Sequence, residues 1–344
     1  MKPAKVAALA ASMTFAAAAA HAEFGSTLRT VQERGALSCT GHNGTYLGMA
    51  EIDDQGNWKG FDIDLCRAMA AAVFGTHEGH LNIQSTSWEQ RWPSLQSGEL
   101  DVVIKASGWT MSRDTDLALQ FSRPYIMAAI SYAAHTELGA GSIMDLDGGT
   151  LCVQSGTTTE RMATDHAAAM GYSLEVVPFD STAAAKAAFL SRRCDVYVEW
   201  DLQLAVMRMT EAEDPASITI LPDVLAAEPV AIVMRQGDDQ WVDLANWVLS
   251  ILIQAEEAGV TSANVDEMRA NPPTPAVATM LGATPGVGTR LGLSDDWAYN
   301  VIREVGNYDE IWERNLGSGS PYGLARGVNG LIRDGGIMYS LKMD

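Results

Sequence analysis

The chain has 344 residues and carries 23 Lys and Arg against 43 Asp and Glu, a formal net charge of −20. That acidity speaks against nucleic acid and anionic membrane surfaces as partners. It leaves a small anionic ligand open, because a local cluster of donors outweighs a distant, screened net charge.

Residues 1–22 read as a secretory signal peptide: Lys2 and Lys5 precede an apolar run over 6–20, and Ala20-His21-Ala22 is a cleavage signature. The mature chain, released after Ala22, is therefore expected to be exported, and it is long enough for one large or two ordinary domains. Its four cysteines, Cys39, Cys66, Cys152 and Cys194, are even in number and contain no C-x-x-C pair, so they point to two disulfides rather than to zinc.

A short helical lead over 23–34 is closed by Gly35, a strand follows over 36–40, and a Gly- and Asn-rich loop leads to Tyr46. From Asp62 a helical face forms from Ile63, Leu65, Cys66, Met69, Ala70, Val73 and Phe74, with Asp62 and Asp64 suited to its positive N-terminus and Gly75 as its stop. A strand over 81–83, a helix over 88–97 ended by Gly98 and a strand over 100–104 complete a β-α-β-α-β order. That order predicts a parallel sheet with its ligand at the carboxyl ends of the strands. At one such end lies Ser107-Gly108-Trp109-Thr110-Met111-Ser112-Arg113-Asp114. Hydroxyls, free backbone N–H groups and a guanidinium gathered there suit a carboxylate; the alternative is a Ser-capped helix with a surface arginine.

After an extended stretch over 126–134 the plan repeats, with a strand over 150–153, a helix in which Thr157 and Glu160 have capping-box spacing, a strand over 174–177, a helix over 181–191 and a strand over 195–198. A returning strand over 228–235 precedes an amphipathic helix over 239–257; beyond the break at Pro272-Pro273-Thr274-Pro275, a helical segment runs to Leu316. The expected fold is thus α/β with two lobes of similar plan. Pairing Cys39 with Cys66 and Cys152 with Cys194 is favoured because each bond then stays within one lobe.

Gly60-Phe61-Asp62-Ile63-Asp64-Leu65, Leu95-Gln96-Ser97-Gly98-Glu99-Leu100-Asp101-Val102, Phe121-Ser122-Arg123-Pro124-Tyr125 and Val153-Gln154-Ser155-Gly156-Thr157-Thr158 together resemble the periplasmic polar amino-acid-binding proteins that feed ABC importers, extracellular solute-binding protein family 3. Glu228-Pro229, the stretch from Arg235 to Trp241, Asn264-Val265-Asp266-Glu267-Met268 and Val305-Gly306-Asn307-Tyr308 resemble its long-chain branch for general L-amino acids, and all four cysteines sit where that branch has them. The resemblance implies a two-lobed periplasmic binding fold, each lobe a mostly parallel sheet flanked by helices, joined by two hinge strands. Lobe 1 would comprise 23–132 and 230–344, and lobe 2 residues 133–229. It also implies a monomer that closes on one small molecule and docks on an inner-membrane permease, with no cofactor or metal.

Carried over by position, Ser107, Gly108 and Thr110 line the lobe-1 side, Arg113 holds the ligand carboxylate, and Thr157 and Thr158, beside Gln154, close on it from lobe 2. Many family members carry that arginine where this chain has Thr115. The aspartate that takes the ligand ammonium is replaced by Trp200, between Glu199 and Asp201, and Lys105 replaces an arginine of the general branch. Tyr46, Trp88, Trp109 and Trp200 could therefore surround a betaine-like or modified amino acid instead of an ordinary one. A small-molecule dehydratase on the same fold is the rival of another class, with only Glu199, Asp201 and His42 as candidate acid or base. His77-Glu78-Gly79-His80 reads as a polar turn.

Overall fold

The computed structural model describes residues 25–43 and 46–343; the signal peptide and its cleavage after Ala22 lie outside the described residues. The chain begins with α1 (Ser26–Arg34) and β1 (Leu37–His42), then the short antiparallel pair β2 (Glu51–Ile52) and β3 (Trp58–Lys59), α2 (Phe61–Phe74) and β4 (Leu81–Thr86). β1 and β4 are parallel, from Leu37 opposite Leu81 to His42 opposite Thr86. The acids at the start of α2 do more than favour its positive end. Asp62 is buried and accepts from the Tyr125 hydroxyl at 2.6 Å and from Ala106 N at 3.0 Å, while Asp64 pairs with Arg67 and Arg314, each at 2.7 Å.

Residues 100–104 do not form the regular third strand that their apolar run predicts. They lie beside β1, but the Thr40 hydroxyl takes both backbone groups of Ile104, at 2.9 Å each, and the Asp101 carboxylate takes Ser38 N at 2.7 Å. Beside β1 the ladder is reduced to Asp101 N donating to Ser38 O at 3.0 Å, and Val103 exchanges its backbone bonds with Val233 instead, at 2.9 Å each. The helix expected from residue 88 begins three residues later, as α3 (Arg91–Ser97), and α4 (Met111–Thr115) is one short turn-and-a-half.

Two long strands link this lobe to the next: β5 (Leu119–His135) and, much later, β9 (Ile218–Arg235). Between them come β6 (Thr150–Gln154), α5 (Thr158–Met170), β7 (Glu175–Phe179), α6 (Thr182–Leu190), β8 (Val196–Trp200) and α7 (Asp201–Thr210). The sheet order is β7-β6-β8-β5-β9, with β6, β7 and β8 parallel and β5 antiparallel to both β8 and β9. The far half of β5 pairs with β8 over Ile130 to Ala134, whereas the near half of β9 bridges back to Val103 and Gly108. The β5–β9 register slips around Pro124 and again between Ile130 and Ala133, and Pro229 sits opposite Met127. Pro124 lacks a ladder donor and fits the first of these interruptions, whereas Pro229 lies in a regular stretch where Asn329 takes the backbone groups of Met127 opposite it. This is the two-lobed α/β fold the sequence points to, with hinge strands longer than the pattern at 126–134 and 228–235 suggested.

The remainder packs on lobe 1 as α8 (Asp239–Ala258), α9 (Val265–Ala270), α10 (Pro275–Met280), α11 (Trp297–Val305) and α12 (Tyr308–Asn315). The single helical segment expected up to Leu316 is split at Gly306, whose φ of 76° favours glycine, and Asn307 restarts it with a capping box to Glu310. Buried Trp241, Trp297, Tyr308 and Trp312 anchor this extension. It also reaches the hinge: Asn329 bonds both backbone groups of Met127, at 2.7 and 3.0 Å, and the Tyr308 hydroxyl donates to Tyr125 O at 2.7 Å. Cys39 is bonded to Cys66 and Cys152 to Cys194, each pair within one lobe. Among the described residues no helix is long and apolar enough to cross a membrane.

Candidate ligand-binding cleft

The carboxyl ends of β1, β6 and β8 face one cleft of about 360 Å³. Lobe 1 contributes Tyr46, Trp88, Arg91, Ala106, Gly108 and Arg113; Gln154, Thr157, Thr158, Thr159, Thr182, Glu199, Trp200 and the hinge-strand residue Glu228 complete the lining. Two hollows continue it. One shares Tyr46, Trp88 and Thr182 and extends to His42 and Ser181; the other shares Arg113, Thr157 and Thr158 and extends to Thr110, Ser112 and Arg161.

Glu228 is the centre of the arrangement. Its side chain is 2% exposed, its Oε2 accepts from Trp200 Nε1 at 2.7 Å, its Oε1 accepts from the Thr158 hydroxyl at 2.8 Å, and Arg113 Nη1 lies 4.0 Å from Oε1. A Cβ on Gly108 would stand 1.8 Å from that Oε1, so residue 108 must be glycine for the carboxylate to lie where it does. Arg113 is oriented by donating to Gly108 O at 2.7 Å, and Thr110 caps α4 by accepting from Arg113 N. Burial lowers the affinity of Arg113 for its proton, an effect Glu228 opposes.

Across the cleft, Thr157 caps α5 and donates to Gln154 O at 2.8 Å. Glu160 accepts from Gly156 N rather than from Thr157 N, so only half of the expected capping box forms. Gln154 is held by Thr182, which donates to its Oε1 at 2.5 Å. Glu199 accepts from Trp200 N at 2.9 Å and lies 3.5 Å from both the Tyr46 and Tyr197 hydroxyls. Burial, reinforced by Glu228, raises its pKa to about 7. Beneath the lobe-1 wall, burial raises Asp62 to about 7 and lowers Lys105 to about 6, the latter aided by Arg91. Burial also keeps His42 neutral; its ring stacks on Tyr46 at 4.9 Å.

Of the twelve residues expected around the ligand, Tyr46, Trp88, Gly108, Arg113, Gln154, Thr157, Thr158, Glu199 and Trp200 line the cleft. Ser107 does not: it is buried and donates to Lys105 O at 2.8 Å. Trp109 is 39% exposed, stacks on Phe121 at 5.5 Å and donates to Asp114, so it belongs to the outer face. Thr110 reaches only the side hollow. The four-membered aromatic cage is therefore not assembled. Trp88 already presents its ring to Arg91 at 4.7 Å and to Lys105 at 4.8 Å, and Trp200 is tied to Glu228. Asp201 serves backbone groups, accepting from Ala129 N and Leu202 N. His77 pairs with Glu304 and His80 bonds Gly35 O, which makes that stretch a fixed structural turn.

Arg91, Thr182 and Glu228 were missed by position-wise transfer. Glu228 had a signal of its own, as the one ionisable residue in the apolar run 224–234. An acid in the middle of a strand that must be buried needs polar partners. Arg91, one residue before Trp92 and three after Trp88, carried a weaker hint of the same kind.

Residues 40–262 match the model of the bacterial extracellular solute-binding proteins, family 3. The chain is 41% identical to the general L-amino acid-binding periplasmic protein of Rhizobium johnstonii, over 94% of each chain. It is 38% identical to the glutamate/glutamine/aspartate/asparagine-binding protein of Rhodobacter capsulatus, over 96% of each. A solved periplasmic binding protein of an ABC transporter from Brucella ovis, with glutathione bound, superposes with a TM-score of 0.87 at 38% identity, covering 92% of this chain and 99% of that one. The chain belongs to the bacterial extracellular solute-binding proteins, family 3.

Proposed function

We propose that this protein is the solute-capturing component of an ABC importer and that it takes up an amino acid or a small amino-acid-like solute. The carrying observation is the pairing of opposite charges in one cavity: the Arg113 guanidinium and the buried Glu228 carboxylate, 4.0 Å apart, with Glu199 close by. A zwitterion fits such a pair. Its carboxylate would meet Arg113 with the Thr157 and Thr158 groups at the start of α5. Its ammonium would meet Glu228 and Glu199, which together take the role of the aspartate replaced by Trp200.

Capture would proceed by closure of lobe 2 on lobe 1 about β5 and β9, with the ligand favouring the closed form by its differential affinity for it. The lobes would divide near residues 132 and 229. The working form would be a periplasmic monomer, freed of its signal peptide after Ala22, that hands its ligand to a membrane permease. The names of the relatives support this reading, and they are binding proteins. A betaine-like ligand is disfavoured because the Trp88 face is taken by Arg91 and Lys105.

One observation favours a second reading, a short peptide such as glutathione: the cleft continues into two hollows, and the similar Brucella ovis protein has glutathione bound. Native mass spectrometry of the purified protein, followed by calorimetric titration with the L-amino acids and glutathione, tests both. Tight binding of an amino acid or of glutathione supports the corresponding reading; binding of neither overturns the proposal.

A further inference from the structure

Arg91 enters the cleft with no carboxylate in ion-pair contact among the described residues. It is 3% exposed, donates through Nη1 to Trp88 O, and leaves Nε without any hydrogen-bond partner. Its guanidinium carbon lies 4.7 Å from the centre of the Trp88 ring and 4.1 Å from that of Trp92. The two indoles hold the plane in place and offset part of the cost of burying the charge, but ring faces offer Nε no acceptor. A fixed, desolvated guanidinium with a free donor is matched to a carboxylate.

Arg113 cannot be relieved of its own role to supply that carboxylate's only anchor. It flanks the same Trp92 ring at 5.6 Å, so the two guanidinium groups stand beside one indole and open into one cavity. Against these two cations the wall sets Glu228, which is engaged by Trp200 and Thr158, and Glu199, and among the described residues neither acid is in ion-pair contact with Arg91. The two acids answer the ammonium, and the unpartnered Arg91 donor calls for a second carboxylate on the ligand.

We propose that Arg91 is a second carboxylate anchor and that the ligand is an α-amino acid bearing a second carboxylate, the chemistry shared by the acidic amino acids and by glutathione. This rests on the amino-acid reading of the cleft given above. Arg113 takes one carboxylate and Glu228 with Glu199 the ammonium; Arg91 takes the other carboxylate and thereby selects against neutral side chains.

Calorimetric titration of the mature chain compares L-glutamate with L-glutamine, and glutathione with its glycine amide. In one of the two pairs the dicarboxylate should bind at least about 30-fold more tightly than its amide, and that pair identifies the source. In Arg91→Gln the dicarboxylate and its amide should bind to within about threefold of each other. Arg91→Lys, which keeps the charge and loses the fork, should retain part of it. The comparison in the unsubstituted protein needs no variant to fold. Equal binding of both members of each pair, or an equal loss for both in Arg91→Gln, overturns the inference and leaves the amino-acid reading standing. Failure of the unsubstituted protein to bind any amino acid or glutathione overturns both.

Discussion

Replacing Glu228 by Gln separates the charge of this residue from its shape. The carboxylate accepts from Trp200 Nε1 through one oxygen and from the Thr158 hydroxyl through the other. A glutamine can turn its carbonyl to Trp200 and its amide N–H to Thr158, whose hydroxyl accepts as readily as it donates. The hydrogen bonds thus survive, and the cost in folding stability should be about 1 kcal/mol. The ligand ammonium, in contrast, loses a desolvated ionic partner, an effect of about 2 to 5 kcal/mol, or roughly 30-fold to several thousand-fold in Kd. A second effect opposes this one: with the carboxylate gone from its place 4.0 Å from Arg113, the ligand carboxylate meets less repulsion. Calorimetry resolves the two when each amino acid is paired with its des-amino analogue. In Glu228→Gln the amino acid should bind much more weakly and the analogue as well or better, with the melting temperature little changed. An unchanged or tighter Kd for the amino acid itself would show that Glu228 competes with the ligand for Arg113, and the ammonium assignment would be refuted.

Other expectations follow from the same geometry. Glu199 has its pKa raised to about 7 by burial and then by Glu228, and an ammonium favours its ionised form, so binding expels a proton below that pH. The Kd should be flat above about pH 7 and rise by up to tenfold per unit below it. Glu199→Gln should flatten the profile; an unaltered slope would shift the cause to Asp62 or Lys105, which titrate in the same range. Gly108→Ala places a methyl where Glu228 Oε1 lies and should weaken binding at least about 30-fold while the chain still folds; unimpaired binding would mean that Glu228 is free to lie elsewhere. Opening the loops closed by Cys39–Cys66 and Cys152–Cys194, 27 and 42 residues apart, should cost about 3 to 4 kcal/mol each, measured as the shift in denaturant midpoint of Cys→Ser pairs. A shift equivalent to less than about 1 kcal/mol would contradict that loop-entropy account.

The lobes were legible because each rests on local patterning. The apolar face from Ile63 to Phe74 becomes α2 and the stripe from Trp241 to Ile253 becomes α8, both ended by left-handed glycines. The cysteine pairing followed from the same layout. What escaped depends on contacts across the fold. The run 100–104 has strand composition, but the backbone groups of Ile104 that a ladder with β1 would use are taken by the Thr40 hydroxyl, sixty residues away. Trp109 and Trp200 are both aromatic residues at strand ends, yet one stacks outward on Phe121 and the other turns inward to Glu228. Position-wise reading takes in Glu228 only as part of a family-like Glu228-Pro229 pair on a strand outside both βα units, and only the return of β9 past Gly108 brings it into the cleft.

Arg113 offers the most direct test of the central claim, that this cleft holds its solute by a carboxylate. Arg113→Ala should be titrated calorimetrically with the amino acid or peptide that the unsubstituted protein binds most tightly. The guanidinium is mostly buried, with 12% of its side chain exposed, and is steered by Gly108 O. The expected loss is about 2 to 5 kcal/mol of binding free energy. A change below about 0.5 kcal/mol, the range of ordinary surface substitutions, would contradict the account.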